Sequence, residues 1–362
     1  MDETFVSVKV DDEELGDQLR YLELEESDTL ADTVRLTFGD DYMVLADVLI
    51  ESQTVEIDLG TRKSHSIVFR GPITSVRGDY PSGGLSTVEL EAADGLIGLS
   101  LQPKTHCWKS DVAQIVNDIA TAHQLSAGKV DAPASTGDPV PQHQVEETDL
   151  AFLYRLAADL DCKLFIDHTG ARDSLNFVRT QSLLDDEASE VRLVFDVSLE
   201  SFAPRFDAFA TRPEDALVTT DPKSAATVTL REKHTDGTEG MWRPDANRIA
   251  RLGAGAARVG TLAAKSAGKR GSVTSSWRRP PRAAGAASRP ATDRAGVLGD
   301  SARRLGQTGH GRTAGNVAIR PRCRLELEGY GGRWSGTWYA ARVRHVIDVE
   351  RRSFLTSFVC TR

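Results

Sequence analysis

Apolar and polar residues alternate strictly in Val34-Arg-Leu-Thr-Phe38 and again in Val55-Glu-Ile-Asp-Leu59. A period of two places one face of each stretch in a core and the other in water, the signature of antiparallel strands. Phe5–Val10, Leu19–Leu24, Thr33–Phe38, Thr54–Leu59, Ser66–Ile73 and Ser86–Glu91 follow one another at turn spacing. Six such strands predict a small antiparallel barrel or sandwich. Gly71-Pro72 interrupts the fifth, which implies an edge, a bulge or a sharp bend there.

The period then changes. Ser110 is placed to cap a helix carrying Val112, Ile115, Val116 and Ile119 and ending near His123 and Gln124. Ser126 to Gln142 reads as a polar loop with Pro and Gly. Beyond it, Thr148 is a good N-cap and Asp149 meets the positive end of the helix dipole. Leu150, Leu153, Tyr154 and Ala157 follow helical spacing, and Phe152, Leu156 and Leu160 widen the apolar face, so this helix must be largely buried. After Asp161 the period returns to two: Cys162, Leu164 and Ile166 point one way and Lys163, Phe165 and Asp167 the other. A turn at 168–174 leads into Leu175–Val178. Helix, strand, turn and strand form an α+β module.

From Val191 the alternation Val191, Leu193, Phe195, Val197, Leu199 predicts a strand of nine residues, and Thr227–Arg231 another. Arg322–Glu328, Gly336–Ile347 and Ser353–Val359 supply further strands. The pattern divides the chain into a first β domain (1–98), an α+β insert (99–188), and a second β domain assembled from 189–239 and 314–362. Between the two pieces of the last lies a basic insertion, 240–313. Its Gly, Ala, Arg, Ser and Pro between Arg251 and Ala295 cannot build a core, and part of it reads as irregular or disordered. The same vocabulary results from an out-of-frame reading of GC-rich coding DNA. Asp300–Leu305 is compatible with a short helix.

The 362 residues are enough for two or three domains. No apolar run approaches the roughly 18 residues of a membrane span, and the acidic start has neither the basic end nor the apolar middle of a signal peptide. The expectation is synthesis and assembly in the cytoplasm. Net charge is −9, but residues 1–60 hold 18 acids against 3 Lys and Arg, whereas 242–320 hold 16 Lys and Arg against 3 Asp. Such asymmetry suits either a nucleic-acid partner or complementary faces of a self-assembling protein.

Candidate chemistry is sparse. Glu147, Asp149, Asp159 and Asp161 form a carboxylate run that is best read as the solvated face of an amphipathic helix. His106, Cys107 and His123 lack a fourth zinc ligand, and four scattered cysteines do not suggest a disulfide framework. There is no G-x-S-x-G, H-E-x-x-H or P-loop, and Gly253–Arg258 imitates only half of a dinucleotide loop. His345, inside an alternating strand, reads as a packed structural histidine. No catalytic, cofactor or metal residue is expected, and the chain is not expected to be an enzyme. Nucleic-acid binding by 242–320, with Arg278 and Arg279 beside Trp277, is the alternative function.

Two motifs carry a resemblance. Gln144 to Ala157, Q-x-x-E-T-D-L-A-F-L-Y-R-L-A, is followed by a hairpin, and Gly329–Tyr339 is followed by Val343-Arg-His-Val-Ile-Asp348. In that order, after an acidic β domain, they resemble the late-control D proteins of phages and the N-terminal part of VgrG proteins, the baseplate hubs of contractile tails and injection systems. The resemblance spans 104–180 and 314–362, extends to 1–100, and is absent from 250–295. It implies two small antiparallel β-barrel domains with an α+β insert, and a homotrimer forming a pseudo-six-fold ring. That ring would adapt a three-fold spike to a six-fold inner tube in a virion or phage tail-like particle. Its partners would be a spike protein, an inner tube or tube-initiator protein, and baseplate wedge proteins. Because this chain shows neither an OB-fold nor a β-helical tail after Arg362, the spike is expected to be a separate polypeptide. Phe152, Leu153 and Leu156 are expected to pack the insert, and Trp334, Trp338 and Tyr339 the last barrel.

Overall fold

The computed structural model describes residues 4–132, 141–206, 247, 250–262, 264 and 306–362, together with the backbone of 214–220, 227–233 and 282–283. The chain is mainly β, with large antiparallel sheets, and divides into two units. The first holds residues 1–179, 312–322 and 341–358; the second holds 180–311, 323–340 and 359–362.

The first unit opens with β1 (Thr4–Val10), β2 (Glu13–Glu14), β3 (Leu19–Ser27) and β4 (Thr33–Gly39). A one-turn helix α1 (Leu45–Val48) precedes β5 (Thr54–Thr61), β6 (Ser64–Asp79) and β7 (Thr87–Ala93). The six expected strands all form, and neighbours run in the order β3-β4-β7-β6-β5-β1-β2. Val34, Leu36 and Phe38 of β4 and Val55, Ile57 and Leu59 of β5 all enter one core, with Val8, Leu22, Leu24, Phe69 and Leu90. Sixteen residues long, β6 pairs with β5 as far as Pro72 and with β7 from Ile73. The bend that Gly71-Pro72 implied is therefore where the strand changes partner. A Cβ on Gly71 would lie 1.9 Å from the Ala93 carbonyl oxygen, so only glycine permits this crossing.

A 3₁₀ turn (Gly95–Ser100) leads into β8 (Pro103–Trp108), α2 (Val112–Ala122), β9 (Ser126–Asp131) and β10 (Gln142–Thr148). Then follow α3 (Asp149–Leu160), β11 (Cys162–Asp167) and β12 (Ser174–Arg179). The cap of α2 is Asp111, whose side chain accepts from Gln114 N, one residue after the expected Ser110. The polar stretch after α2 begins not as a loop but as β9, which pairs parallel to β12. Thr148 caps α3 as expected, and Asp161 ends it in the left-handed conformation, φ 50°. Strand β11 is covered on both faces: besides Leu164 and Ile166, Lys163 is buried.

The second unit begins with α4 (Thr180–Leu184), β13 (Glu190–Val194) and β14 (Ser201–Phe206). The nine-residue alternation stops at Val194, because Val197, Ser198 and Leu199 all donate backbone N–H groups to its carbonyl and Asp196 takes φ 61°. Phe195 and Val197 are consequently exposed. A separate small sheet pairs β15 (Glu214–Thr220) with β16 (Thr227–Lys233) and β17 (Arg282–Ala283). The stretch read as a basic insertion ends in order, since β18 (Gln307–Ala314) starts within it. Asp300–Leu305 and Trp277–Arg279 lie outside the described residues. The chain closes with β19 (Arg324–Glu328), β20 (Gly336–Asp348) and β21 (Ser353–Thr361). β13 and β19 pair in parallel, with Arg324 and Arg192 bridging to Glu190 at 3.1 Å and Glu328 at 2.7 Å. Among the described residues no helix is long and apolar enough to cross a membrane.

Candidate functional site: a buried polar junction and an exposed apolar ridge

The motif that opens at Gln144 has a physical reason. Gln144 is fully buried; its Nε2 donates to the Glu147 carbonyl and to Asp149 Oδ1, each at 3.0 Å, and its Oε1 accepts from Trp108 Nε1 at 3.1 Å. Asp149 is not on a wet face. It is 4% exposed and bonded to Lys104 Nζ at 2.8 Å and His123 Nε2 at 2.8 Å. Burial alone would push its carboxyl up, but Lys104, Gln144 and His123 hold it below the ordinary value. Glu147 pairs with Arg155 at 2.8 Å, and Asp159 is exposed. The four acids therefore divide into a buried anchor, Asp149, one member of a surface ion pair, Glu147, and two residues at the end of α3, Asp159 and Asp161. With His123 engaged by Asp149, His106, Cys107 and His123 do not assemble as a ligand set.

Phe152, Leu153 and Leu156 are buried on α3, with Phe152 stacked 6.2 Å from Trp108. In the second unit Trp338 and Tyr339 are each 1% exposed, whereas Trp334 is only partly buried. Trp338 Nε1 donates to the Trp334 carbonyl at 2.9 Å, and Phe202 meets the Trp338 ring edge-on at 5.3 Å. All six are interior or half-buried residues; none forms an open surface.

A second buried polar group lies in the first unit, where the β3–β4 turn, the 3₁₀ turn, the β11–β12 hairpin and residues 315–322 converge. Lys163 Nζ is 2.9 Å from Asp28 Oδ2, and Arg320 Nη2 is 2.5 Å from Glu26 Oε1. Arg322 donates to the Ser27 carbonyl at 2.9 Å and lies 4.0 Å over the Phe165 ring. His345 is fully buried, with Nδ1 2.9 Å from Thr356 Oγ1 and Nε2 3.5 Å from Glu26. Burial would raise the Glu26 carboxyl, yet Arg320 and His345 keep it below its ordinary value. Asp32 and Asp94 behave differently. Burial and then the Glu26 charge push Asp32 well up, and burial lifts Asp94 to about 6 against hydrogen bonds from the Asp32 and Leu96 amides. Chemically, the junction pins the hairpin and the returning chain to the β3–β4 turn, and at Asp32 and Asp94 it leaves two carboxylates whose burial outweighs the charge of Arg322.

The surface offers a ridge between β4 and β5. Tyr42 is 89% exposed, and Met43, Val44, Val48 and Ile50 are each more than half exposed. These residues are held, not loose: buried Asp40 accepts from the amides of Val44 at 2.8 Å and Leu45 at 3.1 Å, and from Tyr80 Oη at 2.8 Å. The run Tyr42-Met-Val-Leu-Ala-Asp-Val-Leu-Ile50 was visible as an apolar stretch outside the strand pattern. Asp32, Asp94 and His168 gave no signal, being 62 or more residues apart in sequence with no spacing rule to join them.

No protein-family profile matches the sequence, and no curated protein matches it. Solved structures do. A 43 kDa tail protein of prophage MuSo2 from Shewanella oneidensis superposes with a TM-score of 0.66 at 14% identity, over 99% of this chain and 98% of that one. A tail protein from Neisseria meningitidis MC58 gives 0.64 at 14% identity, over 99% and 97%. The E. coli c3393 protein, a component of the type VI secretion system, gives 0.58 at 12% identity, over 99% of this chain and 76% of its own. The resemblance read from the two sequence motifs therefore holds for the fold: along nearly its whole length, the chain is folded like phage tail proteins and a type VI secretion component.

Proposed function

We propose that the chain is a structural baseplate hub of a contractile phage tail or tail-like injection particle. The observation that carries the reading is the likeness of fold over 99% of the chain to tail proteins of nearly the same length. In this reading three copies form a ring, each donating two small antiparallel β-barrels, so that six near-equivalent units face a six-fold inner tube while the three-fold axis faces a spike. Inner tube or tube-initiator and baseplate wedge proteins are the remaining partners. Support comes from the core of the first unit, where residues of β1, β3, β4, β5, β6 and β7 share one interior; among the described residues their pairing runs open from β3 to β2 and does not close. Further support is the rigid apolar ridge at 42–50, which a neighbouring copy would cover. Phe152, Leu153, Leu156, Trp338 and Tyr339, with half-buried Trp334, stabilise the insert and the second β domain that this ring would need. The work assigned to the chain is shape, and no catalytic residue is assigned.

The acidic 1–60 and basic 242–320 regions are complementary and would meet between copies; a trimer indifferent to about 1 M salt would count against that contact. The test of function is co-expression with tube, spike and wedge proteins of one tail cluster, in which a hub co-purifies with spike and tube. The alternative is nucleic-acid binding by 242–320. Affinity for DNA that falls steeply with salt, without tail partners, would favour it. Arg320, at the end of that segment, is spent on Glu26.

A further inference from the structure

In the first unit, two buried carboxylates and an imidazole converge on one small space. Asp32 and Asp94 are 3% and 2% exposed, His168 is 2% exposed, and one ligand atom of each lies within 4.8 Å of the other two. The ring's other commitments are fixed. Its Nδ1 is 3.0 Å from Asp173 Oδ1, and Asp173 is held in turn by Arg70 Nη1 at 2.9 Å. A carboxylate that accepts from Nδ1–H sets the tautomer and leaves the lone pair on Nε2, the arrangement found behind metal-bound histidines. His168 Nε2 is buried and has no hydrogen-bond partner. Neither does the buried hydroxyl of Tyr154, on which Asp94 and Asp32 act electrostatically.

Most nearby cations pair with other groups: Lys163 with Asp28, Arg320 with Glu26, and Arg70 with Asp173 and Glu56. Arg322 donates to the Ser27 carbonyl and covers Phe165, and its charge also acts on Asp32 and Asp94, where burial outweighs it. Were both carboxylates ionised, they would repel one another in this buried space, and a +2 ion held by them and the neutral imidazole would make the group neutral.

We propose that Asp32, Asp94 and His168 bind a divalent transition-metal ion, Zn2+ or Mn2+, that fastens the β3–β4 turn and the 3₁₀ turn to the β11–β12 hairpin. Two carboxylates and one imidazole match the ligand preferences of these ions rather than the all-oxygen shells of Ca2+ and Mg2+. Ligands at about 2.0–2.2 Å from zinc lie about 3.3–3.5 Å apart, so the three side chains draw together by at most about 1.5 Å. Asp173 is the positioning residue, acting through His168.

The test uses the full-length chain, stripped with EDTA and then freed of chelator. Titration with Zn2+, Mn2+, Mg2+ and Ca2+ should show one Zn2+ or Mn2+ bound per chain, a raised Tm with that ion, and none with Mg2+ or Ca2+. Co2+ in its place should give a visible absorption band. Asp173→Asn should weaken binding by about 10- to 100-fold, His168→Gln should abolish it, and His106→Ala should leave it intact. Should His168→Gln fail to fold, the stoichiometry and Co2+ spectrum of the unaltered chain decide. Fewer than about one ion per ten chains with no change in Tm would overturn the site, and so would undiminished binding in folded His168→Gln; the carboxylates would then share a proton instead.

Discussion

Replacing Arg320 with Met removes a guanidinium of similar length and leaves Glu26 in place. Glu26 is fully buried, its Oε1 lies 2.5 Å from Arg320 Nη2, and its Oε2 lies 3.5 Å from His345 Nε2. Arg320 also donates to the Val68 carbonyl at 3.1 Å. Breaking a buried pair from one side costs about 3–5 kcal/mol, because the surviving charge stays desolvated. That is a large part of the roughly 5–15 kcal/mol that keeps a domain folded. The pH dependence has a definite sign. The folded carboxyl of Glu26 lies below its ordinary 4.5, so the pair contributes stability above that pH and loses it as pH falls through the folded value. Without Arg320 burial dominates, the carboxyl rises, and protonation relieves the variant at low pH. Urea unfolding of the full chain at pH 7.5 should therefore show a loss of several kcal/mol for Arg320→Met, shrinking markedly near pH 4. Adding Glu26→Gln should recover most of it. A loss below about 1 kcal/mol at pH 7.5, or a double variant as weak as the single one, would refute the reasoning.

Leu153→Asp should prevent the insert from folding, since it buries an unpaired charge at a fully buried helix position; a soluble variant with native helix content by circular dichroism would contradict that. Trp338→Ala should cost about 3–5 kcal/mol, read as a lowered urea midpoint, because the ring is 1% exposed and packs on Phe202. Tyr42→Asp combined with Val48→Asp should leave the chain folded but lower its association, seen as a shift from trimer toward monomer in sedimentation; unchanged association would remove the ridge from the interface.

Local signals were legible where local chemistry decides. Thr148 caps α3, the alternations at 34–38 and 55–59 face the core, and Gly71-Pro72 marks the strand crossing. Long-range partners were not. Asp149 looked solvated because Lys104 and His123, which bury its charge, lie 45 and 26 residues away. The parallel pairing of β13 with β19 joins residues more than 130 positions apart, and nothing in either pentapeptide names the other. The strand expected over Val191–Leu199 failed for a local reason that periodicity does not see: the Val194 carbonyl is captured by three following amides. The Asp32, Asp94 and His168 group exists only once three separate stretches of chain have folded together.

The proposed trimeric ring is best checked by the native mass of the purified full-length chain, together with images of the same particles. Three times the chain mass and a ring with three-fold symmetry and six similar lobes are expected. A monomer at micromolar concentration, or an assembly of another symmetry, would contradict it.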